Sequence, residues 1–469
     1  MTQDVSEVSA TAHGPAEALN SVLACPRCGA SLSALRCATC ERQYPQLGDV
    51  PWLFADPEAQ LSEWRNRWHL ALRNLQQQEQ AATAALERSR SNLTKTRLGR
   101  LADAYAAQRQ AVQTLLAPLD VGVAATRETY LALQTTLPEQ HRLFSYAANL
   151  FRDWCWGDVE NHGAWQAIEG ALTAASLRPT AECRVLILGS GGGRLAHDLH
   201  ARWQPQLTVG LEINPYLALA GAQICADEPL TLYEFPLAPR SASDVACRRQ
   251  LQRPAVPLPA GLEFVSADAF TPPFAAEQFD VVITPWFSDI CGASIPDLAA
   301  LVNNLLAPAG SWINHGSVAF HNSDPAACSS LEEFIEQASA QGFSLSSNVD
   351  CTLPYLQSPS SRHSRVEQIN TSCLNKQSSV SPPKGHALEG PRWLMNLTDP
   401  VPQSAAFRSQ AQSTAVHAFI MSMIDGNRSI VAMAEIMAAR GLLSDADARQ
   451  ALRGFLEKMH KEATGQAGL

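Results

Sequence analysis

The chain has 469 residues, 46% of them hydrophobic, and a formal net charge of −10. That length gives two or three domains, with ample core for one large α/β unit. The acidic balance argues against broad nucleic-acid binding, which rests on clustered Lys and Arg; no apolar run approaches the ~20 residues that span a bilayer.

Residues 1–20 are polar and read as a disordered N-terminus, with no basic n-region or apolar h-region, so a cytoplasmic location is expected. Residues 21–57 carry two Cys-x-x-Cys pairs, Cys25/Cys28 and Cys37/Cys40, separated by eight residues. Each pair offers two thiolates from one tight knuckle, and four such ligands predict a structural Zn2+ ribbon. Iron would suit the same thiolates. Nearby basic residues are few (Arg27, Arg36, Arg42), so the ribbon is expected to staple the fold or dock a protein partner. The remaining cysteines are scattered and read as reduced thiols.

Residues 58–150 read as a helical region, with helices over 61–86, 98–116 and 126–137, rich in Ala, Leu, Gln and Arg. Trp64 and Trp68 share a helix face that is expected to pack on the ribbon or the core. The basic residues of 88–109 read as a solvated helix face.

Residues 151–405 carry an alternating α/β pattern. Val185–Leu188 predicts a buried strand, followed by the turn Gly189-Ser190-Gly191-Gly192-Gly193 and a helix from Arg194. A second strand ends on Glu212. Gly189, Gly191 and Gly193 let backbone N–H groups approach a ligand, and the helix N-terminus favours electron-rich groups. Glu212 is placed to accept two hydrogen bonds from a ribose diol. Arg194 is placed to pair with a methionine carboxylate, a surface ion pair being the alternative. A third strand leads to Asp268, suited to the exocyclic amine of adenine. A fourth leads to Trp286-Phe287-Ser288-Asp289, and no hydride-transfer partner for a nicotinamide is found. These features favour S-adenosylmethionine. The insertion 230–260 reads as a long functional or disordered connection. Residues 351–405 read as extended loop with one or two late strands, and 406–469 as a small helical or winged-helix-like appendage.

Phe151-Arg152-Asp153-Trp154, the run Gly189–Leu195, Trp286–Asp289 and Trp312-Ile313-Asn314-His315-Gly316 with Phe320-His321 together resemble the carnosine N-methyltransferase family, from about Phe144 to Tyr355. The resemblance implies a class I (Rossmann-like) S-adenosylmethionine-dependent methyltransferase core acting on an imidazole nitrogen. Glu212-Ile213-Asn214-Pro215 is similar only in kind to the family's second-strand end, and Thr284-Pro285 departs from it.

A neutral imidazole acceptor has one lone pair and one N–H. Asp289 is expected to accept that far N–H and stabilise the developing imidazolium; the alternative is that Asp289 caps the next helix. His321 is expected to hold the substrate or relay a proton, with Tyr355 as a pocket wall. The acceptor is therefore a small imidazole-containing or peptide-like molecule. Two other readings stand beside it: a protein or RNA modifier that uses the ribbon for recognition, and a non-catalytic scaffold.

Overall fold

Backbone bonds that long sequence separations conceal join the ribbon to the sheet, and apolar packing joins the helical region to both. The computed structural model describes residues 15–121, 146–320, 325–381 and 400–464. The chain divides into two compact units, Met1–His386 and Ala387–Leu469. Helix α1 (Pro15–Val22) turns Ala18, Leu19 and Val22 inward, where a disordered N-terminus is expected up to residue 20.

Strands β1 (Leu32–Ser33), β2 (Arg36–Cys37) and β3 (Arg42–Gln43) form a small antiparallel sheet, and β4 (Gln46–Leu47) pairs with β5 (Val50–Pro51). The chain leaving β5 joins the main sheet: Trp52 bridges Ser266 in parallel, and Leu53 N–H donates to the Ser266 carbonyl at 2.8 Å. Cys37, Tyr44 and Leu53 share one apolar core with Leu207, Val209 and Val265. The ribbon therefore covers a sheet edge rather than standing free.

Asp56 caps helix α2 (Pro57–Arg88) by accepting from Ala59 N–H, and Pro57 suits the first turn. Ser91 caps helix α3 (Asn92–Leu115). Both match expected helices and run longer; the expected helix over 126–137 lies outside the described residues. Next come α4 (Ala147–Phe151), a π-helical turn (Arg152–Trp156) and α5 (Asp158–Ala174).

The alternating part follows: β6 (Arg184–Leu188), α6 (Arg194–Trp203), β7 (Leu207–Glu212), α7 (Pro215–Cys225), β8 (Leu230–Glu234), β9 (Cys247–Leu251) and β10 (Leu262–Ser266). Then come β11 (Phe279–Pro285), α8 (Ile295–Leu305), β12 (Leu306–Gly316), α9 (Leu331–Ala340), β13 (Phe343–Tyr355) and β14 (Arg365–Lys376). The seven-stranded sheet runs β10-β7-β6-β11-β12-β14-β13, with β14 antiparallel to both neighbours. This is a Rossmann-like class I methyltransferase core. Strand order reverses between β6 and β11, so the crevice at their C-terminal ends is where such sheets bind ligands.

The insertion 230–260 contains the β8–β9 hairpin, with irregular chain between and after its strands. Leu230 and Leu232 point inward with period 2, a pattern too short to stand out in sequence. It packs on α3, where Tyr105 stacks on Phe235 at 4.5 Å and Tyr233 N–H donates to Gln108 Oε1 at 2.6 Å. Within 351–405, the end of β13 and the whole of β14 are the late strands expected there.

The second unit consists of α10 (Ala405–Ser422), α11 (Ile430–Ala439) and α12 (Asp445–Thr464) around Met423, Met433, Met437 and Leu452. Its described residues contain no strand, which makes it helical rather than winged. No described helix is long and apolar enough to cross a membrane.

Trp52 is fully buried, its indole N–H donates to the Pro57 carbonyl at 3.0 Å, and its ring lies 4.3 Å from Phe54. Trp52→Ala is expected to cost about 3–5 kcal/mol, read as a lowered denaturant midpoint at unchanged slope.

Candidate active site

The glycine turn is shaped by positive φ angles at Gly189 (+70°), Gly191 (+58°) and Gly193 (+86°). A Cβ at Gly189 would lie 2.6 Å from the Phe287 ring, and one at Gly193 2.6 Å from Phe264. Gly191 has open space instead and faces the cavity, so its bareness serves a ligand rather than packing. Glu212, at the end of β7, reaches under the turn: Oε2 accepts from Gly191 N–H and Oε1 from Asn214 N–H, both at 2.9 Å. Burial pushes its pKa up to about 7 in spite of those donors. Asp268, after β10, accepts from Phe270 N–H at 2.9 Å and lines the same cavity.

The π-helical turn clamps the other side of the glycines. Trp154 Nε1–H donates to the Gly192 carbonyl at 2.8 Å. Arg152 donates to Asp153 at 2.7 Å and to Glu160 at 3.0 Å. Burial raises the pKa of both carboxyls, with Arg152 opposing it. Burial also works against the Arg152 charge, but the two carboxyls overcome it. Arg194 forms ion pairs of the kind that stood as the alternative to a methionine carboxylate partner. Its guanidinium pairs with Asp198 at 2.9 Å and Asp158 at 3.3 Å, and donates to the Asp153 carbonyl at 2.5 Å. It lines the cavity as part of that network.

Between turn and clamp lies a cavity of about 580 Å3. Gly191, Glu212 and Asp268 mark one end of it. The other is walled by Trp286, His315 and Tyr355. Three arginines and five carboxyls line the whole, a negative balance that favours a cationic ligand and opposes a pyrophosphate.

Trp286 holds a left-handed backbone (φ +51°), and its N–H donates to the His315 carbonyl at 2.6 Å. Its ring lies 5.0 Å from Tyr355 and 6.1 Å from His315. His315 Nδ1 bonds the Thr371 hydroxyl at 2.9 Å, while Nε2 has no partner among the described residues. Burial, assisted by nearby Arg152, lowers its pKa to about 4 and keeps the ring neutral.

Asp289 is half-buried beside this wall, not on it. Its Oδ2 accepts from Ser317 Oγ and Ala319 N–H, each at 2.9 Å, and so ties down the loop after β12. The cap of α8 is Ser294, which sets aside the helix-cap alternative for Asp289. His321 lies outside the described residues. Trp68 packs in the core 4.9 Å from Tyr216, as expected, but Trp64 lines the cavity, together with Arg67. Glu160 belongs to no sequence motif, and nothing short of the folded clamp marks it.

The Sγ atoms of Cys25, Cys28, Cys37 and Cys40 lie within 4.8 Å of one another, with pairs at 3.5, 3.6 and 3.9 Å. A tetrahedron with ~2.3 Å metal–sulfur bonds has edges of about 3.8 Å, so the cluster fits a zinc ribbon. The Tyr44 hydroxyl lies 3.0 Å from Cys25 Sγ, in hydrogen-bond contact with it.

The raised Glu212 pKa has two consequences of defined sign. The folded value exceeds the ordinary 4.5, so its stabilising contribution to the unliganded protein is complete below pH 4.5 and is lost as pH rises through about 7. A ribose diol donates hydrogen bonds and prefers the carboxylate. If Glu212 accepts from such a diol, as expected from sequence, S-adenosylhomocysteine affinity should rise between about pH 6 and 8, with proton release seen by calorimetry in buffers of different ionisation heat. Gly191→Ala should cost about 1–2 kcal/mol of stability from its positive φ and, in the same titration, lose most of the S-adenosylhomocysteine affinity.

A profile described as carnosine N-methyltransferase matches residues 131–366. No match emerges from a search of curated proteins. Among solved structures, the chain is similar to the N-methyltransferase NodS from Bradyrhizobium japonicum WM9 in complex with S-adenosylhomocysteine (13% identity, 50% of this chain and 97% of that one, TM-score 0.33). It is similar also to a putative methyltransferase from Bacillus halodurans C-125 (11% identity, 45% and 100%, TM-score 0.30). The profile spans half of the chain and includes the glycine turn, the clamp and the aromatic wall: the chain belongs to the carnosine N-methyltransferase family and is an S-adenosylmethionine-dependent methyltransferase.

Proposed function

We propose that the chain transfers a methyl group to a ring nitrogen of a small imidazole-containing or peptide-like acceptor, and that Cys25, Cys28, Cys37 and Cys40 hold a structural zinc ion. The observation that carries the acceptor reading is the aromatic wall of Trp286 and Tyr355 facing the glycine turn across one negatively balanced cavity. Flat rings of this kind receive a flat heterocycle and exclude water.

S-adenosylmethionine supplies, when bound, a methyl group on a cationic sulfur. The acceptor nitrogen's lone pair forms the N–CH3 bond as the S–CH3 bond breaks, and the ring N–H proton leaves to solvent. The protein's task is then alignment and charge. Gly191, Glu212 and Asp268 fix the nucleoside, with Gly189 and Gly193 shaping the turn and Arg194 bracing the clamp behind it. The carboxyl-rich lining stabilises positive charge as it moves from sulfur to the acceptor ring. Asp289 keeps Oδ1 free of any described protein partner while Oδ2 anchors the loop, and we assign Oδ1 to the acceptor's far N–H. His321, next in sequence after Phe320, is assigned to hold the acceptor or relay its proton, with Tyr355 as a wall of the acceptor site.

With labelled S-adenosylmethionine and carnosine, the full chain should yield methylated carnosine. Asp289→Asn should slow transfer by about 10²–10³ while leaving S-adenosylhomocysteine affinity unchanged. Label entering only protein or RNA of a cell extract, with carnosine untouched, would replace this reading by that of a macromolecule modifier.

A further inference from the structure

The family match begins at residue 131, yet the cavity does not. Its wall includes Trp64 and Arg67 of α2, far upstream of that start. Trp64 is only 4% exposed, and the Arg67 guanidinium lies 4.9 Å over its ring. Arg152 and Arg194 are each neutralised by two carboxylates. Arg67 pairs with Glu63 alone among the described residues, and its buried Nε has no hydrogen-bond partner there. A buried donor without a partner is costly, so a site that keeps one beside a cavity is incomplete without its ligand.

The cofactor end is the part of the cavity α2 reaches. Trp68, one turn along the same face, packs on Tyr216 at the start of α7, just beyond Glu212 and Asn214. Leu217, on that same helix, lines the cavity with Trp64. The ribbon in turn fixes α2. Trp52 bonds the Pro57 carbonyl at the helix start, and Leu53 N–H bonds Ser266, two residues before Asp268. One short stretch, 52–57, thus joins the four-cysteine cluster to both an adenosine-side strand end and the helix carrying Trp64 and Arg67.

We propose that Trp64 and Arg67 are contact residues for the bound cofactor, the indole packing on it and Arg67 Nε–H donating to it, and that metal in the four-cysteine ribbon holds them in place. This rests on the cavity being the S-adenosylmethionine site. Metal and cofactor are then thermodynamically linked: each raises the other's affinity by the same factor.

The test uses the full chain and S-adenosylhomocysteine as probe. Arg67→Gln, with unliganded melting temperature retained, should weaken probe binding about tenfold by calorimetry, the worth of one hydrogen bond to a charged group. Gln77→Ala, on an exposed position of α2, should leave it unchanged. In competition with a zinc chelator, saturating probe should raise the wild-type zinc affinity about tenfold, and Arg67→Gln should abolish most of that gain. Unchanged probe affinity in both Arg67→Gln and Trp64→Phe overturns the contact. Equal zinc affinity with and without probe overturns the linkage. A wild type that fails to bind the probe at all overturns the cofactor reading of the cavity and this inference with it.

Discussion

One buried guanidinium connects the two ends of the active site. Arg152 lies between Asp153, which backs the glycine turn, and Glu160, whose other oxygen accepts from Leu356 N–H at 2.8 Å beside Tyr355. Without the cation, two carboxyls would face each other out of water, and breaking such buried pairs typically costs about 3–5 kcal/mol. With it, the glycine turn and the β13–β14 hairpin beside Tyr355 are held at a fixed separation. Methyl transfer depends on that separation, because in-line displacement tolerates little error in distance or angle.

The parts of this fold legible in sequence are those where a local pattern has one physical meaning. An apolar run entering a glycine-rich turn and a second run ending on Glu212 produce β6, α6 and β7 as expected. Two Cys-x-x-Cys pairs produce one thiolate cluster. Trp64 and Trp68 mark the limit of such inference: i, i+4 spacing places them on one face but does not say what that face meets, and the face crosses from core to cavity within a turn. Arg194 is ambiguous for a local reason, since Asp198 stands four residues on and captures it. The position of Asp289 at a strand end is readable, whereas the direction of its carboxylate depends on Ser317 and Ala319, which only the folded loop brings near.

The ribbon is less separable from the methyltransferase core than its sequence suggests. A cysteine module with its own metal reads as a self-contained appendage. Here its exit strand adds to the β10 edge and its apolar side merges with the sheet's core. The family profile covers residues 131–366, while residues before it complete the same hydrophobic core and the same cavity.

The pairing of Trp52 with Ser266 also sets an order of events during synthesis. The ribbon leaves the ribosome well before its partner strand is made. At the far edge, β13 has no neighbour until β14 slots between it and β12. The ribbon's side of this pairing thus stays open until β10 is made, and the β12 edge until β14 is made, and exposed strand edges of that kind invite association with other nascent chains. Metal bound by the four cysteines, as proposed, would give the ribbon a local fold before its sheet partner exists and so shorten the time that its apolar side waits uncovered.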